Sequence, residues 1–156
     1  MKEFDPEARI KQAVENFESG YNCAQAIFLA YCDLFDIDQK TGSMMSVSFG
    51  GGLGRMREVC GTVSAMAMLA GFKYPVPDTT DLNARTRNYA MVQKMADLFK
   101  EKHETIICKN ILKRKPEVNK ATPEARTPAY YSSRPCTRLV ADAADITNKM
   151  LSGELD

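Results

Sequence analysis

Five residues in this chain of 156 carry most of its chemical potential: Cys23, Cys32, Cys60, Cys108 and Cys136. Five is an odd count, and the segment Met1 to Pro6 has no apolar secretory stretch, so a framework of structural disulfides explains them poorly. Three roles remain: buried apolar thiol, metal ligand or reactive thiol. No pair has the C-x-x-C spacing of thioredoxin-like sites or of common zinc knuckles, so any shared site must be assembled by the fold.

Local context separates the cysteines. Cys23 follows Asn22, a capping residue; Cys108 comes three residues after Thr105; Cys136 follows Ser133-Arg134-Pro135. These three read as first-turn residues of helices, and Cys60 falls in the first turns after a glycine loop. The free N–H groups and positive dipole at a helix start favour thiolate over thiol, and thiolate is both the nucleophile and the metal ligand. Each of the four also heads an apolar stripe, such as Cys136 with Leu139, Val140 and Ala143, so all four are expected to face one interior. Cys32 lies mid-helix among Phe28, Leu29 and Phe35 and reads as a buried apolar residue. Free Cys is also a common core residue, so spacing alone leaves both the site and the core reading open.

The elements that must position these residues read as helices. Asp5-Pro6 starts a first helix, with Ile10, Ala13, Val14 and Phe17 on one face, which stops near Ser19-Gly20. A second, apolar almost all round, runs from Cys23 to about Phe35 and should sit centrally. Residues 41 to 49 fit a strand or a short helix capped by Thr41; the helix is favoured. Gly50-Gly51-Gly52-Leu53-Gly54 is a turn, after which Arg55 to Leu69 reads as a helix closed by Gly71. Past a Pro75-Val76-Pro77 linker, Thr79 or Thr80 starts a long helix to about Lys102, with Tyr89, Val92, Met95, Ala96 and Phe99 inward. Thr105 caps a shorter helix containing Cys108. Prolines at 116, 123, 128 and 135 make the stretch between Lys113 and Pro135 an irregular loop, and a last helix carries Cys136 to Met150. The expected fold class is therefore all-α: one compact domain over residues 1–156, of five to seven helices, with a glycine-rich turn and a long proline-containing loop.

Composition narrows the partners. Twenty-one basic against twenty acidic residues give a net charge of +1, which supplies no field to draw nucleic acid or an anionic membrane. No stretch approaches the roughly 20 apolar residues of a membrane span, and a cytoplasmic location is expected. The glycine run lacks the lysine of a phosphate loop; Gly51, Gly52, Gly54 and Gly61 are instead expected to let backbone come close to the cysteines and to any cofactor held there. His103, the one histidine, reads as solvated between Lys102 and Glu104, and the basic run Lys109, Lys113, Arg114, Lys115 as a solvated helix end. The loop bearing Tyr130 and Tyr131 is expected either to cover the site or to join a homodimer contact. The methionines at helical spacing read as core filler.

Gly50-Gly51-Gly52-Leu53-Gly54 followed by Cys60-Gly61-Thr62-Val63-Ser64-Ala65, with Cys23 before and Cys108 and Cys136 after, resembles the C_GCAxxG_C_C family of redox-active proteins over most of the chain. Thr62 stands where the family motif has Ala, and Ala65 where it has Gly. The resemblance implies one redox site made of Cys23, Cys60, Cys108 and Cys136, acting with a redox partner it does not name. The family is also similar to a domain of split-Soret cytochrome c, where haem and an iron-sulfur centre occur together; this chain has no C-x-x-C-H, so covalent haem is not expected. Two functions follow for the same four residues. In the first they exchange electrons by thiol/disulfide chemistry, as in an oxidoreductase. In the second they are metal ligands, of a [2Fe-2S] cluster or, ranked last, a structural zinc ion.

Overall fold

A computed structural model of the chain describes residues 1–113 and 121–156. Among these the structure is helical, with eight α-helices and no named strand. The first, α1, spans Pro6–Glu18. Asp5 caps it by accepting from the N–H of Glu7 and Ala8, and Pro6 loses nothing at a first-turn position whose N–H has no helical partner.

Helix α2, Cys23–Tyr31, opens with a capping box: Asn22 Oδ1 accepts from Gln25 N–H, and the Gln25 side chain accepts from Asn22 N–H. Every residue from Ala24 to Tyr31 is buried, because α2 packs against α1 and against α3 (Gln39–Ser46), α4 (Gly61–Lys73) and α8 (Cys136–Leu151). Phe28 of α2, like Phe17 and Phe99, is sealed in the core, and burying each such ring stabilises the fold by about 1.5–3 kcal/mol. The Tyr31 hydroxyl meets the Ala144 carbonyl at 2.9 Å and Asn148 Oδ1 at 2.8 Å, tying α2 to the last helix. The α-helix ends earlier than its apolar run: Cys32–Phe35 tighten into a 3-10 turn, stopped by Asp36 at φ +59°.

Helix α3, Gln39–Ser46, continues as a 3-10 turn over Val47–Phe49. Its cap is Asp38, which accepts from Thr41 N–H at 2.9 Å, so Thr41 lies inside the helix.

The largest departure from sequence expectation follows. Residues Arg55 to Val59 are not helical, and α4 is Gly61–Lys73. Leu53, Arg55 and Arg57 take positive φ near +60°, as do Gly51, Gly52 and Gly54. The chain therefore coils on itself, with Arg55, Arg57 and Glu58 N–H bound to the carbonyls of Gly50, Gly51 and Gly52. Cys60 N–H and Cys108 N–H then bond across to Ile106 and Glu58 carbonyls at 2.7 and 2.6 Å, around one antiparallel bridge between Val59 and Ile107. Those bonds replace a first helical turn. Gly71 does not close α4; it faces open space inside the helix, where its propensity cost of about 1 kcal/mol is outweighed by the packing of Leu69 and Ala70.

Helix α5 is Leu82–His103, capped by Asp81 through Ala84 N–H at 2.8 Å; Thr80 belongs instead to a turn on Asp78. Met91, Met95, Ala96 and Phe99 are buried, whereas Tyr89 is 58% exposed, outside the inner stripe. His103 is not solvated: it bonds Asp142 at 2.8 Å and packs on Phe99. Helix α6 is Cys108–Leu112, with Ile107 at its cap position and Thr105 accepting from Ile107 N–H. Pro116, Arg114 and Lys115, part of the expected loop and basic run, lie outside the described residues. Within the rest of that loop, Pro128–Ser132 forms α7, capped by Thr127 with Pro128 at its first position. Helix α8, Cys136–Leu151, buries one full face against α1, α4 and α5. Among the described residues no helix is long and apolar enough to cross a membrane.

Candidate functional site

The starts of four helices converge on one cavity of about 380 Å³, and each brings a cysteine. Cys23, Cys108 and Cys136 are the first residues of α2, α6 and α8, and Cys60 is the residue that caps α4. Cys32 lies elsewhere, fully buried in the core between the Leu29 carbonyl and Gln39 Nε2, where burial pushes its thiol up. All five are free thiols.

Cys23 occupies the densest point. The nearby Cys60 thiol, then the backbone N–H groups of Gly51, Gly61 and Ala24, favour its thiolate, and together they outweigh burial and lower it from an ordinary 9.0 to about 6. The arrangement depends on the absence of two side chains. A Cβ on Gly61 would stand 2.6 Å from Cys23 Sγ and 2.8 Å from the Phe49 carbonyl. At Gly52, with φ at +71°, a Cβ would stand 2.7 Å from Cys108 Cβ. Asn22 fastens the helix start to the turn, donating from Nδ2 to the Val47 carbonyl at 2.8 Å.

Cys60 is the reciprocal partner. Its hydrogen bond to Cys23, its burial and the negative charge on Cys23 all hold it protonated, well above the ordinary thiol range. Thr62 Oγ1 lies 3.1 Å from Cys60 Sγ and works weakly the other way. The two positions that depart from the family motif are thus both interior, Thr62 and Ala65 being fully buried, and Thr62 uses its hydroxyl on the site itself.

The other two thiols have guanidinium neighbours. Cys108 Sγ lies 3.8 Å from Arg57 Nη1; burial raises this thiol and Arg57 partly offsets it. Burial and the Cys23 charge push Cys136 up to about 11, against the pull of Arg134. Of the glycines expected at the site, Gly51 and Gly54 line the cavity, while Gly52 and Gly61 act through the close approaches described above.

Sequence reasoning did not single out the arginines. Arg55, Arg57, Arg126 and Arg134 line the cavity with Glu124, and Tyr130 of α7 closes one side between Arg126 and Arg134. Tyr131 anchors that segment on α1, its hydroxyl bonding the Phe17 and Glu18 carbonyls. A signal was present: Arg134 stands two residues before Cys136, and Arg57 three before Cys60. What it lacked was the long-range pairing of Arg57 with Cys108.

Among the described residues no group of three or more His, Cys, Asp or Glu side chains is drawn together as a metal ion would require. The arrangement is instead four thiols lining one cavity, in which Cys23 is lowered and Cys60 raised by the influence of each on the other. Residues 21–150 match the model of the C_GCAxxG_C_C family, described as "Putative redox-active protein". No curated protein and no solved structure matches the chain.

Proposed function

We propose, from the premise that this chain belongs to the C_GCAxxG_C_C family of redox-active proteins, that it transfers electron pairs by thiol/disulfide exchange through Cys23 and Cys60. One observation carries the reading: Cys23 and Cys60 line one cavity at the starts of α2 and α4, where Cys23 is lowered to about 6 and Cys60 is held protonated. The low pKa puts Cys23 largely in its nucleophilic form at neutral pH without making it a poor attacker, since the best attacking thiol titrates near ambient pH.

In the exchange, Cys23 thiolate attacks one sulfur of a disulfide and expels the other half as a thiolate, leaving a mixed disulfide on Cys23. Cys60 then attacks the Cys23 sulfur and releases the second half. Its proton passes to the departing sulfur. The protein ends with a Cys23–Cys60 disulfide, and the substrate has gained two electrons. Cys108 and Cys136, which line the same cavity and are both raised in part by the Cys23 charge, supply a second thiol pair from which that disulfide can be reduced.

A second reading keeps Cys23, Cys60, Cys108 and Cys136 as ligands of a [2Fe-2S] cluster. It is favoured by all four lining one cavity, with Arg57 and Arg134 beside two of them to offset anionic charge. The lack of a converging group of three ligands counts against a single zinc ion.

One preparation separates the readings. Protein purified without oxygen is divided between a visible absorption spectrum, metal analysis and thiol counting before and after a mild oxidant. Exchange predicts a colourless, metal-free protein that loses two thiols, with Cys23 and Cys60 joined in the peptide map. Colour with bound iron and sulfide would establish the cluster, and thiols inert to the oxidant would overturn the exchange.

A further inference from the structure

The charge of the cavity wall selects among disulfides. Among the described residues, four arginines and the carboxylate of Glu124 line it. Arg134 is the most enclosed of them, 8% exposed, although arginine is rarely buried without complete pairing. Its Nη2 donates to Glu124 Oε2 at 2.6 Å and its guanidinium lies 3.9 Å from the Tyr130 ring centre. Its Nε, however, is buried with no hydrogen-bond partner among the described residues. A charged donor left unmade in a cavity wall is a position for an acceptor that arrives with a ligand.

Arg126 supports the same reading. It stacks over Phe17 and Tyr130, 5.2 and 4.4 Å from their ring centres, and pairs with no carboxylate among the described residues. Aromatic faces thus hold its charge at the cavity without neutralising it. Size matters too: Cys60 and Cys108 are buried and the cavity is about 380 Å³, which fits a small molecule and not the disulfide of a folded protein.

Resting on the exchange reading, we propose that the substrate of this site is a small carboxylate-bearing disulfide, its carboxylate received by Arg134 Nε and Arg126 while Cys23 attacks its sulfur. Writing the substrate as R–S–S–R, Cys23–S⁻ and Cys60–SH are consumed with it, and the Cys23–Cys60 disulfide, R–S⁻ and R–SH are formed. Two electrons pass from the protein to the two R–S halves, the Cys60 proton goes to one of them, and charge is conserved.

The test compares two probes on reduced full-length protein: dithiobis(nitrobenzoate), which carries two carboxylates, and uncharged dithiodipyridine. Each rate is divided by that of a free small thiol, so that intrinsic reactivity cancels. The wild type is expected to favour the dicarboxylate, less so as salt is raised, and Arg134→Gln and Arg126→Gln each to lower that preference about tenfold, the worth of one charge-assisted hydrogen bond. Arg126 is exposed, so its variant keeps the test informative if Arg134→Gln unfolds. Lys149→Gln, on the surface of α8, removes the same charge far from the cavity and should leave the preference unchanged. Absence of preference, or an equal loss from Lys149→Gln, would overturn the carboxylate proposal while exchange stands. Failure of both probes to react at Cys23 would instead overturn exchange itself, and this proposal with it.

Discussion

The cavity has two halves that treat the same side chain differently. Around Cys23 and Cys60 the contacts are neutral: one thiol, three backbone N–H groups and the Thr62 hydroxyl. Around Cys108 and Cys136 they are charged, Arg57 and Arg134. Yet the neutral half lowers a thiol pKa and the charged half does not. Several neutral donors around the Cys23 sulfur together outweigh burial, whereas a guanidinium 3.8 Å from Cys108 only offsets part of it. In the exchange reading this difference makes the first pair the nucleophile and its partner, and the second pair the reserve.

Replacing Cys23 with Ser breaks the comparison most severely. The exchange reading expects at least about a hundredfold loss of reaction with any disulfide at neutral pH, because burial still disfavours the thiolate form of the remaining cavity thiols once the Cys23 charge is gone. Stopped-flow thiol kinetics measure it, and a loss below tenfold would place the nucleophile elsewhere. Cys60→Ser should act differently: the first step persists, slowed, and the substrate half stays bound to Cys23 as a mixed disulfide visible by mass spectrometry.

The pH profile is the next largest effect. Alkylation of Cys23 should rise through a midpoint near pH 6 and level off by neutrality, while Cys136, pushed up to about 11, stays unlabelled there. The linkage sign agrees. A thiol whose folded pKa lies below its ordinary 9.0 stabilises the fold at high pH, and that stability declines as pH falls from about 9 to about 6. Site-resolved alkylation read by peptide mass checks the profile, and equal labelling of both cysteines at neutral pH would remove the distinction between the two halves. In Cys60→Ser, the midpoint for Cys23 should move up, since its largest stabilising contact is gone.

Gly61→Ala tests the close approach that makes the neutral half work. The new Cβ would collide with Cys23 Sγ and the Phe49 carbonyl, so a stability loss of about 1–3 kcal/mol is expected, together with a raised Cys23 midpoint. Chemical denaturation and the same alkylation profile read both effects. A full-strength Cys23 response in a stable Gly61→Ala protein would show that the backbone donors are not what lowers it.

Much of this was legible in the sequence where the signal was local. Asp5-Pro6 and Asn22 with Gln25 mark helix starts through short-range hydrogen bonds, and the cysteine that follows Asn22 inherits its position from that cap. The apolar circumference of α2 foretold a central helix, and Cys32 within that segment does lie in the core. Residues 55 to 59 misled because Leu53, Arg55 and Arg57 are not residues that advertise positive φ, and because bonds from Ile106, Cys108 and Lys109, far along the chain, reinforce the local ones at Arg57, Glu58 and Cys60. Helix α7 was hidden because prolines that forbid a long helix permit a short one beginning on Pro128. The arginines were the hardest to foresee, since Arg57 gains its meaning from a cysteine some fifty positions later.

The mildest test is Thr62→Ala, which restores the residue of the family motif. Thr62 is fully buried, and its hydroxyl lies beside Cys60 Sγ, where it helps Cys60 bear charge. Removing it should slow the second step, attack by Cys60 on the mixed disulfide, while leaving the first step at Cys23 close to its original rate. One hydrogen bond of this kind is worth about 1 kcal/mol, so the second step should fall by about fivefold. Single-turnover kinetics resolve the two phases. Equal slowing of both would mean that Thr62 acts on the packing of α4 and not on Cys60, and then the two halves of the cavity would differ in their donors alone.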